Sequence, residues 1–159
     1  MTSSGAPAGT GGADGIGGTD GIGGTDLAEL IASMDPVLDD TTFVVVTGPH
    51  DLDPRPLVPL ATVVEDEGST AIIDVQRLPE ALALGCTPPD PPPMSRLTLR
   101  VHSSLLAVGL TAAVSGALAT RGISCNVVAG YFHDHLLVPV EQASDALEVL
   151  RALQDETRT

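Results

Sequence analysis

A proline-rich segment divides the chain into two parts. Residues 87–93 contain five prolines in seven positions, and a proline can neither continue a helix nor donate to the ladder of a central strand. Such a run favours an extended, semi-rigid connection. We therefore interpret residues 87–94 as a linker between an N-terminal unit, residues 26–86, and a C-terminal unit, residues 95–154.

The two ends of the chain are predicted to be disordered. The sequence from residue 11 to residue 26 repeats a six-residue motif rich in Gly and Asp, with the isolated apolar side chains Ile16 and Ile22. A segment with so little apolar surface cannot compensate for the entropy lost on folding. Its glycines do not match the GxGxxG pattern of a nucleotide-binding loop, and no predicted strand precedes them. We expect disorder over residues 1–25 and 155–159.

The N-terminal unit has the pattern of a helix, three strands and a second helix. Asp26 and Glu29 are spaced like a capping box at the start of apolar residues with helical spacing, and Pro36 cannot continue that helix. Three β-branched runs follow, at residues 43–47, 60–64 and 71–75. The last two runs flank a glycine-containing turn and predict a hairpin. A short helix is predicted over residues 79–84, with proline in its first turn and glycine after its end.

The C-terminal unit has a sharper pattern, which predicts the order β, α, β, β, α. Leu97, Leu99 and Val101 alternate with polar residues, as in a strand covered on one face. Apolar residues then recur at helical spacing over residues 110–118, and Gly122 ends that helix. The remaining predicted elements are strands at residues 123–129 and 136–140, a turn at residues 130–135, and an amphipathic helix from Ala143.

Charge and cysteine content exclude several classes of function. The chain has 21 acidic and 7 basic residues, for a formal charge of −14, so a nucleic-acid backbone would be repelled. No apolar run reaches the ~18 to 20 residues of a membrane helix. Cys86 and Cys125 lack metal-type spacing, which favours reduced thiols in a cytoplasmic protein over a disulfide. We expect no nucleic-acid partner, no membrane partner and no cofactor.

The stretch from residue 97 to residue 153 resembles the ACT domain. The most specific motifs are Gly109-Leu110, Arg121-Gly122-Ile123-Ser124 and the segment from Ala129 to His135. A weaker likeness over residues 26–84 is similar to the small stand-alone bacterial proteins with two ACT-like halves. The resemblance implies an α+β, ferredoxin-like βαββαβ fold in two tandem units, with helices on one face of antiparallel sheets. It also implies a regulatory protein that binds amino acids at interfaces between units.

The sequence departs from the usual ACT pattern in two ways. The acidic residue and the proline that commonly precede the glycine are missing, and His102, Ser103 and Ser104 occupy that loop. Little chain remains after Leu153 for the last strand of a βαββαβ unit. We therefore expect the other half of the chain to supply the strand that completes the C-terminal sheet.

The predicted ligand site lies where the first strand of the C-terminal unit leads into its helix. At Gly109 a ligand carboxylate could approach the backbone N–H groups of Gly109 and Leu110, a contact that the helix dipole favours. The alternative is that Gly109 only permits close helix packing. His102, Ser103 and Ser104 could donate hydrogen bonds to the same ligand. Alternatively, a serine caps the helix and the histidine is solvated or hydrogen-bonded within the protein.

Further candidate contacts lie in the two strands that follow. Asn126 is predicted in a buried strand, where its amide needs a partner in a ligand or in neighbouring backbone. His133, Asp134 and His135 permit three interpretations: a turn with exposed histidines, a contact of Asp134 with a ligand amino group, or a two-histidine metal site. The exposed turn is preferred, because no Cys/His spacing supports a closed zinc site.

These residues predict binding rather than catalysis. His102, Ser103 and Asp134 include the residue types of a catalytic triad, but the GxSxG elbow is missing. We expect a non-enzymatic sensor or regulatory protein for an amino acid or a similar zwitterion. The predicted ligand-binding residues are His102, Ser103, Ser104, Gly109, Leu110, Asn126 and Asp134. The alternative is a structural or protein-interaction module without a ligand, and in either case small units with few aromatic residues favour a homodimer.

Overall fold

Six antiparallel strands form one continuous sheet in the computed structural model, which describes residues 26–90, 92–101 and 108–158. The elements in chain order are α1 Leu27–Ser33, β1 Pro36–Gly48, β2 Ala61–Glu65, β3 Gly68–Asp74, α2 Leu78–Ala83, β4 Met94–Leu99, α3 Leu110–Thr120, β5 Asn126–Ala129, β6 Asp134–Pro139 and α4 Ala143–Arg158. The strands lie side by side in the order β2, β3, β1, β4, β6, β5. The predicted disorder of residues 1–25 falls outside the described residues.

The two units share the centre of this sheet. β1 pairs with β4, from Pro36 opposite Leu99 to Phe43 opposite Met94. The C-terminal strands β5, β6 and β4 therefore gain β1 as their fourth strand, and the N-terminal strands β2, β3 and β1 gain β4 in the same way. This pairing confirms the prediction that the other half completes the C-terminal sheet. It also places Met94, predicted as the last linker residue, at the start of β4.

All four helices cover one face of the sheet, as the ferredoxin-like prediction requires. Alternate residues of each strand point to that face, and their apolar side chains form two clusters with the helices. The larger cluster packs α1, α3 and α4 against side chains that include Leu97, Leu99, Leu136 and Val138. The smaller cluster packs Ala81 of α2 against Val44, Val46, Ala71 and Ile73. Both predicted halves therefore contribute to a single sheet with one helical layer.

Helix α1 packs against the C-terminal unit, although it precedes the N-terminal strands in the chain. Its predicted cap is confirmed, because the Glu29 N–H donates to Asp26 Oδ1 at 3.0 Å. Leu30, Ile31 and Met34 are buried in the cluster of α3 and α4. Residues 26–86 are therefore one segment of the sequence, but their first helix packs in the core of the C-terminal unit.

Helix α4 continues to Arg158, so the predicted disorder of residues 155–159 is wrong for residues 155–158. The Gln154 side-chain amide donates to the carbonyl of Ala32, at 3.2 Å, and to that of Met34. Arg158 Nε also donates to the Ala32 carbonyl, at 2.7 Å. These bonds satisfy carbonyl groups at the C-terminal end of α1, which has no intrahelical donors left for them. Docking against α1 explains the extra helical turn.

β1 and β5 differ most in length from the prediction. β1 begins at Pro36 and includes acidic residues. Leu38 pairs with Leu97 and Thr42 with Ser95, so four steps along β1 match only two steps along β4. The extra residues form a bulge. β5 is shorter than predicted, since Ile123 closes the end of α3 by donating its N–H to the Leu118 carbonyl at 3.1 Å. Across the described ranges, no helix combines the length and the apolar character needed to span a membrane.

Candidate functional site

Most of the predicted ligand residues that the structure describes lie at one end of the helix-covered face. We call this region the β4–α3 junction; it comprises Leu99 at the end of β4 with the two residues that follow it, the start of α3 at Gly109 and Leu110, and Asp134. His102, Ser103 and Ser104 lie in the same connection but outside the described residues. Their predicted hydrogen bonds remain predictions.

Gly109 is the N-cap of α3 and has a left-handed backbone, with φ 101° and ψ −20°. Its carbonyl accepts the N–H of Ala113 at 2.8 Å, which starts the helix. It has no side chain to cap the first-turn N–H groups, which have no acceptor within the helix. A Cβ at this position would lie 3.0 Å from Leu27 Cδ2. Both ligand approach and close packing against α1 are therefore compatible with glycine here.

Leu110 and Asp134 contribute to the junction in different ways. The Leu110 side chain is buried in the helical cluster, so only its backbone can face a ligand. Asp134 is half-buried at the first residue of β6 and lies directly opposite Leu99 in the ladder. Because paired residues share a face, Asp134 lies on the helix-covered side, at the end of the strand that leads to α3. Leu99 and Leu110 thus belong to the same buried cluster, and Asp134 pairs with Leu99.

Asn126 does not belong to this region. It is exposed at the first residue of the edge strand β5, opposite Leu137, so the prediction that it lies in a buried strand is wrong. Its Nδ2 lies 3.8 Å from Met94 Sδ, on the face of the sheet that the helices leave uncovered. Alternation of strand residues separates it from Asp134, which faces the helices.

The predicted turn with exposed histidines is also corrected. The turn covers residues 130–133 and is closed by the Gly130 N–H, which donates to the His133 carbonyl at 3.0 Å. Both histidines are half-buried: His133 Nδ1 lies 3.4 Å from the Val101 carbonyl oxygen, and His135 Nδ1 lies 3.0 Å from Thr98 Oγ1. Within residues 26–90, 92–101 and 108–158, no group of three or more His, Cys, Asp or Glu side chains could hold a metal ion.

A second polar region lies on the uncovered face of the sheet. This Arg96 recess has a volume of about 440 Å³ and is lined by polar side chains that include Asp39, Arg96, Thr98, Arg100 and His135. The sequence contains a partial signal for it, because polar residues alternate with Leu97 and Leu99 along β4. It contains no signal for Asp39, which reaches the recess through the bulge in β1.

An ion pair fixes Arg96 in this recess. Its Nη2 lies 2.6 Å from Asp39 Oδ2, and its guanidinium carbon lies 5.2 Å from the centre of the Phe43 ring. Burial alone would raise the pKa of Asp39, but hydrogen bonds from Arg96 and Thr41 outweigh burial and lower that pKa to about 2. Burial, followed by the charge of Arg96, lowers the pKa of His135. Asp39 is therefore ionised at neutral pH, and the charged form of His135 is disfavoured.

The two cysteines lie outside both regions. Cys86 and Cys125 are free thiols, which rules out the less favoured disulfide between them. Burial raises the pKa of each thiol. Neither cysteine therefore has the lowered pKa of a nucleophilic thiolate.

Comparisons with known proteins agree with this architecture. Two family models described as ACT domain match residues 22–85 and residues 95–152. A solved structure from Vibrio cholerae, described as a protein of unknown function and possible transport protein, is 40% identical to the chain. That match covers 80% of this chain and 95% of the other, with a TM-score of 0.68. No curated protein is a significant match.

Two more distant structures share the fold. A protein from Agrobacterium tumefaciens is 16% identical, covers 76% of this chain and 89% of its own, and has a TM-score of 0.60. The ligand-free regulatory subunit of aspartate kinase from Thermus thermophilus is 13% identical, covers 76% of this chain and 98% of its own, and has a TM-score of 0.56. The chain belongs to the ACT-domain family and contains two ACT domains in tandem.

Proposed function

We propose that this protein is a non-enzymatic regulatory sensor that binds a free amino acid, or a similar small zwitterion, at the β4–α3 junction. The observation that carries the proposal is that α3 begins at Gly109, which has no side chain to cap the helix, while the carboxylate-bearing Asp134 lies opposite the last residue of β4, the strand that precedes α3. A helix N-terminus favours a carboxylate, and an aspartate carboxylate favours an ammonium group. The two groups match the two charged ends of an amino acid.

The family supports a regulatory role. ACT domains are regulatory modules, and the aspartate kinase subunit that shares this fold is itself described as regulatory. Ligand binding would act by shifting an equilibrium between conformations or association states for which the ligand has different affinities.

A protein-interaction module is the second candidate, and one surface feature favours it. Tyr131 and Phe132 lie at the turn between β5 and β6 with 69% and 62% of their surface exposed, and their rings meet edge to face at 4.9 Å. Aromatic side chains are enriched at protein interfaces. The turn adjoins Asp134, so a partner at this position would lie next to the proposed ligand site.

A thermal-shift screen of the standard free amino acids tests the proposed function. A ligand present at about 100 times its Kd should stabilise the folded protein by about 2.7 kcal/mol. Asp134→Asn should lose that response, and Asp51→Asn, which removes an exposed carboxylate elsewhere, should retain it. If no amino acid raises the Tm, a protein-interaction module becomes the better supported of the two functions.

We also infer that the protein forms a homodimer. Strands β2 and β5 are the two edges of the sheet, and Val63 and Val64 of β2 are 52% and 80% exposed. An apolar, unpaired edge readily pairs with a second copy across a two-fold axis. Sedimentation equilibrium should show a dimer at micromolar concentration, and Val64→Lys should shift it towards monomer. A wild-type protein that stays monomeric at tens of micromolar would exclude this assembly.

A further inference from the structure

We propose that the Arg96 recess is a second binding site, which takes a small carboxylate anion on the uncovered face of the sheet. The recess is distinct from the β4–α3 junction, because alternate residues of β4 serve the two faces: Leu99 points to the helices, and Thr98 and Arg100 point away from them. Its volume of about 440 Å³ lies within the usual range of small-molecule sites. The proposal therefore goes beyond the proposed function and does not depend on it.

Two of the few positively charged side chains of the chain lie in this recess. All seven basic residues of the chain are arginines, against 21 acidic residues. Two of the seven, Arg96 and Arg100, line one recess of a chain with a formal charge of −14. A chain with this composition repels anions over most of its surface, so a cavity in which two arginines offset two aspartates is less unfavourable to an anion than its surroundings.

The donors are arranged along one strand. Arg96 and Thr98 occupy alternate positions of β4, Arg100 is the first residue after its end, and all three line the recess on the uncovered face. Each guanidinium presents planar N–H donors that match a carboxylate. The Thr98 hydroxyl lies between them and contacts His135 Nδ1 at 3.0 Å. A carboxylate seated over Thr98 would thus meet a guanidinium on either side.

The two arginines have different roles. Asp39 and the Phe43 ring fix Arg96, whose side chain is 24% exposed. Arg100 is exposed and forms no ion pair with any residue that the structure describes. Arg96 is therefore a preorganised donor, and Arg100 supplies the positive charge that Asp39 does not already neutralise.

The acidic side chains of the recess select against a doubly charged ligand. Asp39 and Asp40 line the same cavity, and like charges at such short range are repulsive. Arg96 and Arg100 together offset Asp39 and Asp40, so the recess is formally neutral, and two added negative charges would be repelled more strongly than one. We therefore expect a singly charged carboxylate to bind more tightly than inorganic phosphate.

An NMR titration of the full-length protein with sodium acetate, at constant ionic strength, tests the proposal. The backbone amide of Thr98 and the ring signals of His135 should shift and saturate. Arg100→Gln should weaken acetate binding at least about tenfold, since a charged hydrogen-bond partner is lost. Arg151→Gln, which removes an exposed arginine of α4, should leave binding unchanged. Circular dichroism of both variants should match the wild type, because both side chains are exposed.

Three results would overturn the proposal. The first is a response at Thr98 and His135 that rises linearly without saturation, and the second is equal acetate affinity in Arg100→Gln and the wild type. The third is tighter binding of phosphate than of acetate, which would replace the carboxylate by a different anion. Asp134→Asn should leave the acetate response of His135 intact, so failure at the junction and failure at the recess are distinguishable.

Discussion

At Gly109, the backbone conformation and the close approach of Leu27 both favour glycine. An L side chain at φ 101° is strained, and its Cβ would lie 3.0 Å from Leu27 Cδ2. Gly109→Ala should therefore destabilise the protein by about 1–2 kcal/mol in urea unfolding. Gly116→Ala is the matched control, because nothing lies within 4 Å of its added Cβ and alanine favours the helix interior. If Gly109→Ala unfolds at the wild-type midpoint, the backbone does not require glycine there.

Asp39 should make stability depend on pH in the acid range. Its pKa is lowered from 3.8 to about 2 in the folded protein, so its contribution is complete above about pH 4 and is lost as the pH falls towards 2. Asp39→Asn should cost about 2 kcal/mol at neutral pH, and the gap to the wild type should narrow near pH 3 in urea unfolding.

Asp53 provides the control for this prediction. A hydrogen bond from Arg55 also lowers the pKa of Asp53 to about 2, but this pair is far more exposed than Asp39 and Arg96. Solvent screens such pairs, so Asp53→Asn should change stability much less. An equal effect of the two substitutions would show that the partial burial of Asp39 contributes nothing.

At the scale of the elements, docking of α1 on α4 is the contact that links the ends of the described chain. Gln154→Ala would remove the side-chain donor of the Met34 carbonyl and leave the Ala32 carbonyl with Arg158 alone, which should cost about 1–3 kcal/mol in chemical unfolding. Glu156→Ala, at an exposed position of the same helix, should be near neutral. Equal stability of the two variants would mean that these hydrogen bonds do not hold α1 in place.

Local signals in the sequence predict which elements form but not where they pack. The Asp26 cap and the hairpin of β2 and β3 involve residues close together in the chain, so capping and turn patterns identify them. The docking of α1 joins residues more than 100 positions apart. The bulge in β1 depends on pairing with β4, and no local pattern of polar residues indicates it.

For the whole molecule, the pairing of β1 with β4 joins the two units, and features that depend on this pairing cannot be predicted from the sequence of either unit alone. The resemblance to ACT domains correctly implies tandem units, and the roles of Gly109, Leu110 and Asp134 in ligand binding stay predictions. Apolar neighbours predict Asn126 in a buried strand, but it lies on the edge strand β5 and faces the uncovered side of the sheet. The recess depends on β1 lying next to β4, so Asp39 has no signal in the sequence.

The most direct measurement is an NMR titration of the backbone amides with the amino acid that the thermal-shift screen identifies. If the ligand carboxylate binds at the start of α3, the largest shifts should occur at Gly109, Leu110 and Thr111. These shifts should disappear in Asp134→Asn and persist in Asp51→Asn. Saturable shifts elsewhere, with the amides of residues 109–111 unmoved, would contradict ligand binding at the β4–α3 junction.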